Sequence, residues 1–169
     1  RAYGMRTGLY TSPHLEHVNE RIAIDGQQLS DDDFVDTWDQ IKDLVAMVDM
    51  KMEELDKPKM SFFEVLTAMA IWKFADAPVD VAIVEVGMGG RWDATNVLDA
   101  DAAIIGPIDM DHMAWLGNTV EQIASEKVGI IKPGCTAVIG RQPHEEAVMP
   151  IIEEAARQNH ANLVRDGVE

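Results

Sequence analysis

The chain has 169 residues, 47% of them hydrophobic, with 30 acidic and 14 basic residues and a net charge of −16. This length and apolar content suffice for one α/β domain with a core. The negative charge repels phosphate backbones and anionic membrane surfaces, so neither a nucleic-acid nor a membrane partner is expected. The single cysteine, Cys135, excludes an internal disulfide framework and favours a reducing compartment. We therefore expect a cytoplasmic protein.

The first predicted strand runs from Thr7 to Thr11 and ends at Ser12-Pro13-His14, because proline interrupts strand pairing. Ser12 and His14 therefore lie at a strand exit, although most Ser-Pro segments are simply turns. A second strand, Arg21 to Ile24, is followed by Asp25-Gly26, which predicts a tight hairpin.

Two helices follow, each introduced by a serine that can cap it. Ser30 precedes an amphipathic helix that ends at Lys57-Pro58, and its predicted inward stripe is Phe34, Trp38, Ile41, Val45, Val48, Met52 and Leu55. Ser61 and Glu64 form a capping pattern before a more apolar helix, which we expect to lie beside the sheet. Phe62 and Phe63 open this helix either as a hydrophobic anchor or as a wall for a flat ligand, and residue type alone favours the anchor.

The stretch from Val79 to Asn96 carries the most specific pattern. Its first part is rich in β-branched residues, which is typical of a strand buried on both faces of a parallel sheet. Glu85 follows at the carboxyl end, where open α/β sheets bind ligands. Its carboxylate can hold a metal ion or can simply be solvated in the turn. Gly87, Gly89 and Gly90 then allow the backbone to approach a ligand closely.

Later elements alternate between strand and helix. Strands are predicted at Ala102 to Ile105, Thr136 to Ile139 and around Leu163-Val164, with helices from Val120 to about Val128 and from about His144 to Gln158. Asp111 and His112 follow the first of these strands, so we expect them at an edge parallel to that of Glu85. Lys127 lies in the last turn of a helix, where a cation ordinarily complements the helix dipole.

Seven short motifs occur together in this order. They are T-S-P-H-L at 11–15, N-E-R-I at 19–22, F-F-E at 62–64, E-V-G-M-G-G-R-W-D-A-T-N at 85–96, D-H at 111–112, L-G-N-T at 116–119 and E-K-V-G-I-I-K at 126–132. The set resembles the bifunctional dihydrofolate synthase/folylpolyglutamate synthase family of the Mur ligase superfamily. This resemblance implies a mostly parallel sheet flanked by helices, part of a P-loop-NTPase-like central domain.

The resemblance also implies an ADP-forming ligation. ATP phosphorylates a substrate carboxylate, and the amine of L-glutamate attacks the acyl phosphate. The implied small-molecule partners are ATP, L-glutamate and dihydropteroate or folates, and the implied cofactor is Mg²⁺. We expect the full-length enzyme to be a monomer.

Residue roles follow from the same resemblance, position by position. Ser12, Glu85 and His112 resemble the magnesium ligands, and Lys127 resembles a catalytic lysine that family members carry as a carbamate. The pterin-bearing substrate is expected against two segments, Ser61, Phe62, Phe63 and Glu64 in the first and Trp92, Asp93 and Ala94 in the second.

The chain departs from the family pattern in two ways. It contains no Gly-Lys-Ser or Gly-Lys-Thr phosphate loop, and we expect the family's carboxyl-terminal ligase domain to lie outside these residues. We therefore expect residues 1–169 to be a partial central ATPase domain that is inactive alone. One alternative is an S-adenosylmethionine-dependent methyltransferase, in which an α-helix should follow V-E-V-G-M-G-G at once. Another is a degenerate, non-catalytic nucleotide-binding domain.

Overall fold

The computed structural model describes residues 3–110 and 113–166, without the side chains of Met113 and Ala114. Asp111 and His112 thus lie outside the described residues. The chain forms two compact units, Arg1–Val86 and Gly87–Glu169. Within the described ranges, no helix combines the length and the apolar character needed to cross a membrane.

The first unit is built on a four-stranded mixed sheet of β1 (Thr7–Tyr10), β2 (Ile22–Ile24), β3 (Gln27–Gln28) and β4 (Val81–Val84), in the order β3-β2-β1-β4. The predicted hairpin joins β2 to β3. Asp25 and Gly26 at its turn have φ values of 52° and 72°, the positive φ at both positions that a tight twisted hairpin requires. β1 pairs in parallel with β4, with Tyr10 opposite Val84, so both strands end at one edge.

Two helices, α1 (Asp31–Glu54) and α2 (Phe62–Asp76), complete the first unit. The predicted serine caps are confirmed, since Ser30 and Ser61 each accept a hydrogen bond from the backbone N–H three residues on. α2 is packed against β1, whereas α1 is packed mainly against α2. For this reason only part of the predicted α1 stripe is buried, and Trp38, Val48 and Leu55 are exposed. The core consists mainly of Tyr10, Ile22, Leu29, Ile41, Val45, Leu66, Met69, Ala70 and Phe74.

The prediction that the strand before Glu85 is buried on both faces is wrong. β4 starts at Val81, and the side chains of Val81 and Ile83 are 36% and 49% exposed. Among the described residues β4 pairs only with β1, as the outermost strand of its sheet. A β-branched sequence indicates a strand, but its burial depends on neighbours that the sequence pattern does not reveal.

The second unit contains a three-stranded parallel sheet of β5 (Ala102–Ile105), β6 (Thr136–Ile139) and β7 (Asn162–Arg165) in that order. Its helices are α3 (Met113–Leu116), α4 (Val120–Lys127) and α5 (Glu145–Gln158). α4 ends one residue before the predicted end at about Val128, and a 3-10 helix continues over Val128–Ile130. The alternating β/α order, with helices on a parallel sheet, confirms the predicted fold class.

Candidate active site

Ser12 and Glu85 meet at the carboxyl edge of the first sheet. Because β1 and β4 run in parallel and in register, the chain leaves both strands at the same edge. The backbone N–H of Ser12 donates to Oε2 of Glu85 at 2.7 Å, and the backbone N–H of Glu85 donates to the carbonyl of Tyr10 at 2.9 Å. These two contacts fix an exposed carboxylate beside a half-buried serine. The third predicted ligand, His112, lies outside the described residues.

The segment after Ser12 folds back on itself through a short 3-10 helix, Val18–Arg21. The carboxylate of Glu20 accepts hydrogen bonds from the backbone N–H groups of Leu15, Glu16 and His17 at 2.8, 3.0 and 2.8 Å. These three donors favour the charged form and lower the pKa of Glu20 to about 2. Glu20 therefore closes the loop that follows the strand exit.

Arg21 connects this loop to α2. Its Nε donates to Nδ1 of His14 at 2.9 Å, and its guanidinium carbon lies 5.4 Å from the centroid of the Phe62 ring. Arg21 is only 9% exposed, whereas Phe62 is 60% exposed. A buried cation thus lies against an accessible aromatic ring.

The two phenylalanines that open α2 have different roles. The Phe63 ring packs against Tyr10 with centroids 5.9 Å apart and joins the core, while Phe62 is exposed. Ser61 and Glu64 bond to each other's backbone N–H groups as a capping box, so both of their side chains are used to start the helix. Of the predicted substrate segment at 61–64, Phe62 is the residue whose side chain is exposed and takes no part in capping the helix or in the core.

In the second unit, the glycine-rich loop lies against the end of α4. The backbone N–H of Arg91 donates to the carbonyl of Glu126 at 3.0 Å, and a Cβ on Gly90 would lie 2.7 and 2.8 Å from the carbonyl oxygens of Glu126 and Lys127. The glycine at 90 therefore admits a helix end rather than a ligand. After the glycines comes a 3-10 helix, Ala94–Val97, and then β5. The α-helix that the methyltransferase alternative requires is not there.

Trp92, Asp93 and Ala94 also divide into a structural part and an exposed part. The Asp93 carboxylate accepts from the backbone N–H groups of Met88 and Thr95 at 2.9 and 3.0 Å and from the Thr95 hydroxyl. These bonds hold the loop in place. Ala94 is half-buried, and the side chain of Trp92 is 85% exposed.

Lys127 is the last residue of α4 and is half-buried. Its amine makes no ion pair or hydrogen bond with the described residues. The next turn carries Gly129, where a Cβ would come within 2.5 Å of the backbone of Arg91. The loop of residues 87–96 and the end of α4 are thus one packed structure in the second unit.

The loop that leaves β5 is fastened by two side chains from the loop after β6. Gln142 accepts from the backbone N–H of Ile108 at 2.9 Å and donates to the carbonyls of Gly106 and Gly140 at 2.9 and 2.8 Å. Nε2 of His144 lies 3.1 Å from Oδ1 of Asp109. The backbone N–H of Met110 and the imidazole together lower the pKa of Asp109. This loop leads to Asp111 and His112, outside the described residues.

Arg21 and Gln142 are the residues that sequence reasoning missed. Arg21 lies within the N-E-R-I motif, which marks the segment but not its contact with Phe62, 41 positions away. Gln142 follows β6, at the edge where functional loops are expected, yet its partners are up to 36 positions away. Within residues 3–110 and 113–166, no group of three or more His, Cys, Asp or Glu side chains is arranged to hold a metal ion.

No family model matches the chain. It is 49% identical over 173 residues to the dihydrofolate synthase/folylpolyglutamate synthase of Mycobacterium tuberculosis, covering 97% of this chain and 35% of the relative. Crystal structures of the Mycobacterium tuberculosis folylpolyglutamate synthase complexed with ADP and AMPPCP match 98% of this chain and 38% of theirs, with 49% identity and a TM-score of 0.91.

A solved FPGS-AMPPCP-folate complex matches 97% of this chain and 39% of its own, with 32% identity and a TM-score of 0.87. The chain spans about a third of the length of the curated relatives it matches. Over that span, sequence and fold agree along nearly the whole chain. The chain therefore belongs to the dihydrofolate synthase/folylpolyglutamate synthase family.

Proposed function

We propose that these residues are part of an ATP-dependent ligase that joins L-glutamate to dihydropteroate, to folates, or to both. The γ-phosphoryl group of ATP passes to a substrate carboxylate, which yields ADP and an acyl phosphate. The amine of L-glutamate attacks the acyl carbon, and phosphate leaves as the amide forms. Such chemistry depends on positioning and on stabilising charge more than on a protein nucleophile.

The observation that carries this proposal is the junction of Ser12 and Glu85 in a chain of this family. The carboxylate of Glu85 is held at a sheet edge by one backbone N–H, 2.7 Å from Oε2, and Oε1 has no partner among the described residues. An exposed carboxylate fixed at a strand exit is suited to a cation-bound phosphate group.

Mg²⁺ suits the chemistry of this donor set. Hard divalent cations prefer oxygen ligands, and Ser12 and Glu85 offer a hydroxyl and a carboxylate at one edge. When bound, Mg²⁺ supplies positive charge that neutralises the phosphate oxygens during transfer. We propose Ser12, Glu85 and His112 as the residues that would hold it.

For the ring-bearing substrate we propose Phe62 and Trp92, the exposed aromatic residues of the two predicted substrate segments. The neighbouring polar side chains accept hydrogen bonds from nearby backbone N–H groups and hold each turn in place. They are Ser61 and Glu64 around Phe62 and Asp93 after Trp92. An exposed aromatic ring on such a rigid turn suits stacking against a flat heterocycle.

Lys127 is the proposed catalytic lysine, acting as a carbamate. Its neutral amine would add to CO₂, forming a carbamate and releasing a proton, so that a cation becomes an anion beside the phosphates. The absence of an acidic partner among the described residues leaves this amine available. Lys127→Ala should then regain part of its activity when short-chain carboxylates are added.

We also propose where these residues lie in the full-length protein. The share of each relative that is matched supports a partial central ATPase domain, with the phosphate loop and the glutamate-binding domain outside these residues. We further propose a cytoplasmic, monomeric enzyme when full length. Residues 1–169 alone should not release ADP.

The test is glutamate-dependent release of ADP by the full-length protein, with dihydropteroate or tetrahydrofolate as acceptor. Product identity is read by mass spectrometry as a gain of one glutamyl group. ADP release should require ATP, Mg²⁺, glutamate and the acceptor together. An enzyme that binds ATP but forms no glutamyl amide with either acceptor would overturn the proposal.

A further inference from the structure

Arg21 is a buried cation without an acidic partner, whereas the other described cations of the first unit that lack an ion pair, Lys57 and Lys59, are exposed. Arg6, Lys42, Lys51 and Lys73 each form an ion pair with a nearby carboxylate. Arg21 is 9% exposed and forms no ion pair with any described residue. The neighbouring carboxylate of Glu20 is already used by three backbone N–H groups.

The polar end of Arg21 is only partly satisfied. Nε donates to His14, which fixes the plane of the guanidinium. The two Nη groups have no hydrogen-bond partner among the described residues. Among the same residues, every fully buried side-chain nitrogen has a hydrogen-bond partner. The Nη groups therefore reach the surface while the rest of the side chain is buried. A guanidinium that is mostly buried, with accessible donors and no counter-charge, is suited to a ligand that supplies acceptors.

The exposed ring of Phe62 lies next to these donors, 5.4 Å from the guanidinium carbon. The capping box of Ser61 and Glu64 fixes the start of α2 and thus the position of the ring. A flat molecule that stacks on Phe62 is within reach of the Arg21 Nη groups. The chain as a whole carries a net charge of −16, so an unpaired cation here gives local selectivity for an anionic or carbonyl-bearing ligand.

We propose that Arg21 and Phe62 form a subsite of the ring-bearing substrate, in which the ring packs on Phe62 and an oxygen of the same molecule accepts hydrogen bonds from Arg21. His14 orients the guanidinium. This inference rests on the proposed function and adds a specificity-determining residue to it. The oxygen can belong to the heterocycle or to a carboxylate of a glutamyl tail, and the two sources can be distinguished kinetically.

The experiment uses the full-length enzyme and measures KM separately for dihydropteroate, tetrahydrofolate, ATP and L-glutamate. Arg21→Met should raise the KM for the ring-bearing substrate by roughly tenfold to a hundredfold, as expected for a lost hydrogen bond to a charged group, with the KM for ATP unchanged. An equal rise for both ring substrates assigns the oxygen to the heterocycle. A rise for tetrahydrofolate alone assigns it to the glutamyl tail.

Two further variants guard against a purely structural effect. Arg21→Lys keeps the charge and should fall between wild type and Arg21→Met. Arg157→Met makes the same chemical change on α5, where Arg157 pairs with Glu154 at the surface, and should leave every KM unchanged. Phe62→Leu combined with Arg21→Met should cost less than the sum of the two single changes, because both residues act on one ligand.

Unchanged ring-substrate KM values in Arg21→Met, or a parallel rise in the KM for ATP, would overturn the subsite while leaving the ligase activity intact. If the wild-type protein forms no glutamyl amide, the proposed function fails instead. Calorimetric titration with dihydropteroate then decides the subsite alone. Binding that is lost in Arg21→Met supports it, and equal binding by both proteins refutes it.

Discussion

The two units use the polar groups of their candidate loops differently. In the first unit, Glu85 and Arg21 are each fixed by one hydrogen bond and keep further polar groups that no described residue contacts. In the second unit, the side chains of Asp93 and Gln142 each bond to three groups of the surrounding loops. Polar side chains thus keep unpaired groups that can contact a ligand in the first unit, whereas in the second unit their hydrogen bonds hold the loops in place.

This difference shows which polar loop residues deserve a functional assignment. A carboxylate or amide whose acceptors and donors are all used internally positions the backbone, and its loss should reduce stability. A group that is held firmly but remains unpaired can contact a ligand, and its loss should reduce activity. Substitutions at the two kinds of group should therefore separate loss of activity from loss of stability.

Glu85→Gln should separate activity from stability most clearly. The change keeps the shape and one acceptor for the Ser12 N–H but removes the charge proposed to hold Mg²⁺. We expect kcat of the full-length enzyme to fall by about 10²–10³-fold, with a small change in the free energy of unfolding. Glu53→Gln on the exposed face of α1 is the matched control. Turnover close to that of wild type would remove Glu85 from the site.

Gln142→Leu should give the opposite result, a large loss of stability. The amide of Gln142 satisfies the buried N–H of Ile108 and the carbonyls of Gly106 and Gly140. Each buried group left unpaired costs about 1–3 kcal/mol, which chemical denaturation can measure. Gln158→Leu, at an exposed position on α5, should have little effect. An unfolding free energy equal to that of the control would show that the hydrogen bonds of Gln142 contribute little to stability.

Gly90→Ala tests whether Gly90 is needed for close packing against the end of α4 or for the close approach of a ligand. A Cβ at 90 would lie within 2.8 Å of two backbone carbonyl oxygens at the end of α4. We expect a loss of about 1–3 kcal/mol in stability, as for other overpacked sites. Gly106→Ala is the control, since its Cβ would meet nothing within 4 Å. If Gly90→Ala unfolds like wild type but binds substrate poorly, the loop approaches a ligand after all.

Short-range sequence patterns predicted most of the helices, strands and turns of both units. Helix caps at Ser30 and Ser61 and the Asp25-Gly26 turn depend on residues within four positions of one another, so the sequence reveals them directly. The family resemblance implied that Ser12 and Glu85 meet, and the parallel pairing of β1 with β4 explains why they do. Exposure of β4, the Gln142 contacts and the Arg21–Phe62 pair depend on residues that are distant along the chain. For the same reason, Gly90 could not be assigned to a helix end before the fold was known.

Glu20 holds its loop in place by hydrogen bonds inside the first unit and gives the smallest effect. Its pKa falls from an ordinary 4.5 to about 2 because three backbone N–H groups bind the carboxylate. Since the folded-state pKa is lowered, this contribution to stability is present above about pH 4.5 and is lost as the pH falls through about 2. Hydrogen exchange at Leu15, Glu16 and His17, corrected for intrinsic rates, should therefore lose protection over that interval.

Glu20→Gln should weaken this protection at neutral pH and remove most of its pH dependence, because a neutral amide oxygen is a weaker acceptor that does not titrate between pH 2 and 4.5. Glu16→Gln is the matched control four positions earlier, since the side chain of Glu16 bonds to no described residue. Protection that stays constant from pH 5 to pH 2 in the wild-type protein would contradict this role of Glu20. Because the Glu20 loop carries His14 and Arg21 beside it, the same pH interval should also lower ring-substrate affinity if the subsite depends on that loop.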